Sequence, residues 1–136
     1  MRVFKNAWFE RFARKQDITD DAILDAVWRA EQGLIDADLG GGVIKQRVAR
    51  PGQGKSGSFR TIILYRGMGR AFFVYGFAKS DRENIGADLA ADFRKMAVHV
   101  LDLSEEHLAA LIANGRFSEV HDHGKEIPQS SPCRHP

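Results

Sequence analysis

Three segments in the middle of the chain most restrict its fold. Val43–Arg50 (VIKQRVAR), Ser58–Arg66 (SFRTIILYR) and Arg70–Lys79 (RAFFVYGFAK) are dense in β-branched and aromatic residues. Glycine-rich PGQGKSG and GMG separate them. This pattern predicts three strands joined by hairpin loops, an antiparallel meander. Because side chains alternate along a strand, Lys45 and Arg47 should share a face of the first strand. On the third, Phe73, Tyr75, Phe77 and Lys79 should share one.

Helical patterns flank the meander. After a short first strand at Arg2–Lys5, Ala7–Lys15 places Trp8, Phe9 and Phe12 at helical spacing, with Arg11, Arg14 and Lys15 on the other side. A second helix is expected to open near Thr19, a capping hydroxyl followed by Asp20 and Asp21 at the positive end of the helix dipole. Its stripe is Ile23, Val27, Ala30 and Leu34, with Gly33 as its stop. Beyond the meander, Ile85, Leu89, Phe93, Met96 and Val100 predict a long helix over 84–103. A further helix should start at Ser104 and stop at Gly115. From His121 to Pro136 the chain has almost no apolar residues and reads as a disordered tail.

Charge is the second organising feature. Of 20 basic residues, nine lie between Ile44 and Arg82 (Lys45, Arg47, Arg50, Lys55, Arg60, Arg66, Arg70, Lys79 and Arg82), against the single acid Asp81. That block carries +8 and the remainder −6, within a net +2. Such segregation suits a face that meets a polyanion.

Several function classes fall away. Gly52–Gly57 (GQGKSG) suggests a phosphate loop, but the pattern needs glycine where Ala49 stands, and the loop should open a helix rather than a strand. As a hairpin loop it would hold Lys55 out on a mobile tip. The single cysteine, Cys133, excludes an intramolecular disulfide. No apolar run suits a signal peptide or a membrane span, so the expected location is cytoplasmic. His99 and His107 read as surface residues, and His121, His123, Cys133 and His135 supply no preformed metal site. Arg66 and Arg70, flanking a tight turn, read as simply solvated, and Trp8 and Trp28 as core.

The order strand, two helices, basic meander, helix resembles the RelE/ParE superfamily of bacterial toxins, above all its RelE and HigB-like branch. VIKQRVARPGQGKSGSFRTIILYR and FFVYGFAKSDRENI carry the likeness. It implies an α+β fold, with two N-terminal helices packed on an antiparallel sheet made of the short first strand and the meander. C-terminal helices follow. The domain would run over 1–120, including an extra helical segment at 104–120, with 121–136 as the tail. The activity implied is a ribosome-dependent mRNA endonuclease that needs no metal or other cofactor. Its partners would be the ribosome, mRNA and a cognate antitoxin of the helix-turn-helix type. In such enzymes an mRNA 2′-hydroxyl attacks the adjacent phosphate.

By position, the resemblance makes Arg60 the transition-state clamp and Lys45 and Lys55 the proton-transfer candidates. Arg47 and Lys79 would position phosphate, with Arg50 and Arg82 as further phosphate contacts. The base is the open role. RelE toxins carry a tyrosine on the last helix, where Ile85 roughly stands here, leaving only Tyr65 and Tyr75. A ParE-like gyrase inhibitor, or a non-enzymatic nucleic-acid-binding module, would use the same fold or charges without cleaving RNA.

Overall fold

The computed structural model describes residues 1–50, 54–67, 69–78 and 85–121. Its elements run β1 (Arg2–Asn6), α1 (Ala7–Gln16), α2 (Asp20–Glu31), β2 (Ala37–Gly40), β3 (Val43–Arg50), β4 (Gly54–Arg66), β5 (Arg70–Ala78), α3 (Ala87–Val100), α4 (Glu105–Ala113) and β6 (Phe117–Val120). The strands form one sheet in the order β2-β3-β4-β5-β1-β6. Among the described residues no helix is long and apolar enough to cross a membrane.

Short polar side chains set the helix starts. Asn6 accepts from the Phe9 amide at 2.7 Å, Thr19 from Ala22 at 3.1 Å and Ser104 from His107 at 3.0 Å. Asp17, in the left-handed conformation (φ 60°), ends α1 and turns the chain into α2.

Helices cover both faces of the sheet. On one, Phe9 and Ala13 of α1 and Ile23, Ala26, Val27 and Ala30 of α2 pack with Ile44, Val48, Phe59, Ile63 and Phe73. On the other, Phe93 and Ala97 of α3 and Leu108 of α4 pack with Val43, Ile62, Leu64, Phe72 and Phe77. Burial on both sides explains why β4 and β5 read as continuous apolar runs rather than alternations.

Several expectations require correction. The sheet is mixed rather than antiparallel, because β1 runs parallel to β5, with Phe4 opposite Phe72. It also has two strands the sequence pattern does not reveal. β2 is four residues long and exposed at every second one, and hides before the Gly40-Gly41-Gly42 run, which forms the β2–β3 turn with φ of 87°, 60° and 85°. β6 lies within the segment expected to be helical and pairs antiparallel with β1. Gly54–Gly57 belong to β4, with Gly54 paired to Arg50, so Lys55 is on a strand and not on a loop tip. A register shift between Val48 and Arg50 absorbs the extra residues. The helix expected over 84–103 is confined to Ala87–Val100, and Ala97 takes the buried place assigned to Met96, which is exposed. Trp8 and Trp28 are exposed rather than core.

The shared face expected on β5 is also broken. Ile62 pairs with Tyr75 but Ile63 pairs with Phe73, so Val74 is an extra residue in a β-bulge. The bulge reverses the alternation. Phe73 packs toward α1, whereas Tyr75 and Phe77 pack toward α3. Gly76 then lies beneath α1, where a Cβ would meet Phe12 Cε2 at 2.6 Å. The ring is held by Trp8, Phe9 and Phe59.

Arg66 and Arg70 are anchors, not idle surface charges. Arg66 donates to the Leu101 carbonyl and pairs with Asp102 at 2.9 Å. Arg70 donates to the Leu103 carbonyl and to Glu105 at 2.8 Å. Arg2 joins Glu105 at 2.7 Å and grips Glu119 through two bonds, at 3.0 and 2.9 Å. Arg2, Arg70, Glu105 and Glu119 thereby tie the start of α4 and β6 to the sheet.

Two outcomes follow from this packing. Gly76→Ala should lower stability by about 1–3 kcal/mol in urea unfolding, through overpacking against Phe12. Hydrogen bonds from Arg70 and then Arg2 hold the Glu105 carboxyl below its ordinary value of 4.5. A folded-state value below the unfolded one means this stabilisation is whole above about pH 4.5 and is lost as pH falls through the lowered value. Glu105→Gln should therefore unfold more readily than the parent at neutral pH, and the two curves should converge in acid.

Candidate functional site

The meander's register brings three of the expected basic residues together. Arg47 lies directly opposite Arg60, and Lys45 opposite Ile62, which in turn faces Tyr75. The neighbouring row is Arg47, Arg60 and Phe77. Directly opposed residues sit roughly 4.5–5.5 Å apart at Cβ, so two guanidinium side chains start from adjacent positions on one face. Asp36, Ala37, Lys45, Arg47 and Arg60 line an open depression there.

Like charges placed opposite each other across a strand pair are destabilising. Each arginine is nevertheless steadied. Arg60 Nη1 donates to Ser58 Oγ at 3.1 Å. Arg47 Nη2 lies 3.6 Å from Asp36 Oδ1. Asp36 Oδ2 also accepts from the Arg47 amide at 2.7 Å. An anion seated between the two guanidinium groups would relieve their repulsion and accept planar, forked hydrogen bonding.

A buried amide supports the floor. Gln46, fully buried on the face opposite Lys45 and Arg47, donates to the Ala26 carbonyl at 2.9 Å and the Leu34 carbonyl at 3.2 Å. Its Oε1 accepts from the Asp36 amide at 2.7 Å. Gln46 thus ties β3 to α2 and fixes the backbone from which Asp36 projects. Arg29 of α2 reinforces this by donating to the Arg47 carbonyl while pairing with Asp25.

The two tyrosines part company. Tyr65 packs on the α2 face, away from the depression, where burial and then the Glu31 carboxylate push its phenol above the ordinary value. Tyr75 shares the depression's face but is stacked on Trp8, with ring centres 4.7 Å apart, and touches Phe77 and Phe93. Ile85 precedes α3 and packs on the same cluster as Phe93.

Of the other expected site residues, Arg50 and Lys55 lie on β3 and β4, and their side chains fall outside the described ones. Lys79 and Arg82 lie outside the described residues altogether. Asp36, Ser58 and Gln46 escaped the sequence reading. For Gln46 a signal existed: a lone amide between Ile44 and Val48 on an otherwise apolar face. Asp36 had none, since β2 itself was not apparent. Among the described residues, no group of three or more histidine, cysteine, aspartate or glutamate side chains is arranged to hold a metal ion.

Comparison with known proteins completes the site's setting. The family model described as RelE toxin of the RelE / RelB toxin-antitoxin system matches residues 1–120. No curated protein sequence matches the chain.

Gln46→Leu should cost about 1–3 kcal/mol, because the buried bond to the Ala26 carbonyl is lost together with the acceptor of the Asp36 amide. Urea unfolding measures the loss. A stability equal to the parent's would mean that water replaces the amide.

Proposed function

The chain belongs to the RelE toxin family, and on that premise we propose that this toxin of a toxin–antitoxin pair is an endoribonuclease that cuts mRNA on the ribosome. The observation that carries the reading is the juxtaposition of Arg47 and Arg60 beside Lys45 in one open depression. A gyrase-binding surface has no need of three cations brought to one point on a sheet. Transfer of a phosphoryl centre does, because charge builds on the phosphorane oxygens as the 2′-hydroxyl attacks.

In this mechanism the mRNA backbone crosses β3 and β4, with the scissile phosphate between the two arginines. Arg60, oriented by Ser58, clamps the phosphorane. Arg47, held by Asp36, positions the phosphate in the ground state. Lys45 and Lys55 serve proton transfer, while Lys79, Arg50 and Arg82 extend the contact along the backbone. The ribosome presents the message, and the cognate antitoxin, of the helix-turn-helix type, restrains the enzyme in the cytoplasm. The residues assigned here supply binding, orientation and proton transfer without a metal or other cofactor.

Induced expression in a bacterial host, followed by mapping of new 5′ ends, tests this reading. Codon-phased cuts within translated regions are expected. Arg60→Ala should slow cleavage by about 10²–10³-fold, as loss of one preorganised donor does elsewhere, and Lys55→Ala should also relieve toxicity. Growth arrest with intact transcripts would instead indicate gyrase or another target. Absence of arrest would favour a binding module.

A further inference from the structure

We infer that Asp36 is the general base of the cleavage reaction, taking the proton from the attacking 2′-hydroxyl. The inference rests on the nuclease reading above. It fills the role that the basic residues leave open.

The depression is lined by three cations and one carboxylate. Arginine does not surrender its proton, and lysine and tyrosine ordinarily hold theirs at neutral pH, whereas an aspartate is already an acceptor. Tyr65 is on the opposite face of the sheet, and Tyr75 is walled by Trp8, Phe77 and Phe93. Asp36 is therefore the residue lining the depression that is equipped to accept a proton.

Its geometry suits the task. Oδ2 is committed to the Arg47 amide at 2.7 Å, which fixes the carboxylate's orientation. Oδ1 sits 3.6 Å from Arg47 Nη2, beyond hydrogen-bond length, so it keeps a lone pair for substrate. The backbone amide of Asp36 is clamped by the fully buried Gln46. An acid placed in a phosphate site weakens ground-state binding by repulsion. That penalty is offset when the same acid removes a proton in the transition state.

The step balances. The O2′–H bond breaks and its proton passes to Asp36 Oδ1, while the O2′ electron pair forms the new bond to phosphorus. The P–O5′ bond breaks with its electron pair on O5′, which takes a proton from the Lys45 ammonium group. The products are a 2′,3′-cyclic phosphate and a 5′-hydroxyl. Proton exchange with water restores Asp36 and Lys45.

The test is single-turnover cleavage of an mRNA on programmed ribosomes, with Asp36→Asn and Lys45→Ala beside the parent. Each message is used both natural and with a sulfur replacing the bridging 5′-oxygen at the cut. Asparagine keeps an acceptor for the Arg47 amide and so preserves the positioning role. The sulfur leaving group needs no acid. The expected result is that Asp36→Asn is about 10²–10⁴-fold slower on both messages, with the complex bound at least as tightly as by the parent and Asp36→Glu regaining part of the rate. Lys45→Ala should be slow only on the oxygen message. An Asp36→Asn rate equal to the parent's would overturn the assignment, as would a defect that the sulfur message cures. Weaker binding in Asp36→Asn with an unchanged rate in the complex would also overturn it. If the parent itself cuts neither message, the nuclease reading fails first, and the outcome is distinguishable from failure of Asp36 alone.

Discussion

Placing β1 beside β5 is the constraint from which the rest of the architecture follows. The two strands run parallel, with Arg2 opposite Arg70 and Phe4 opposite Phe72, so the chain must cross from one end of the sheet to the other before they can meet. That crossing carries α1 and α2 over one face and leaves the opposite face to α3 and α4. It also makes β1 an interior strand, with β6 on its far side. Phe4 becomes fully buried and stacks on Phe72 with ring centres 4.8 Å apart. An N-terminal pentapeptide is thus as central to the core as the meander.

The meander and the helix caps were legible in the sequence because they are local. Thr19 and Ser104 announce their helices through side chains that reach only three residues ahead. The strands announce themselves through β-branched and aromatic density. What stayed hidden depends on distant partners. β6 is a four-residue strand whose only reason to be extended is β1, more than a hundred residues earlier. Arg66 and Arg70 read as turn charges until the α3–α4 connection arrives with the carbonyls of Leu101 and Leu103.

The site was legible to the same degree. Lys45 and Arg47 could be singled out from charge and side-chain period, and Arg60 from the family resemblance, and the observed pairing sets the three on one face. Asp36 and its support could not. They need β2, a strand too short to be seen, and Gln46, whose three hydrogen bonds reach α2, the segment after it and Asp36. A cationic surface is written in composition, whereas the arrangement that disciplines it is written in tertiary hydrogen bonds.

The bulge at Val74 gives β5 a counting function. Upstream of it, odd-numbered residues look toward α1; downstream, they look toward α3. Each side chain from Tyr75 onward owes its address to that break in the pairing. Regular pairing with Val74 retained would set Gly76 beside Arg60 and send Phe77 toward Phe12. Loss of Val74 would instead leave Ile62 opposite Tyr75 and Arg60 opposite Phe77, each later side chain on its present face. Related chains that keep this site should therefore carry either the bulge or a strand one residue shorter at this point, and not a regular strand of the same length.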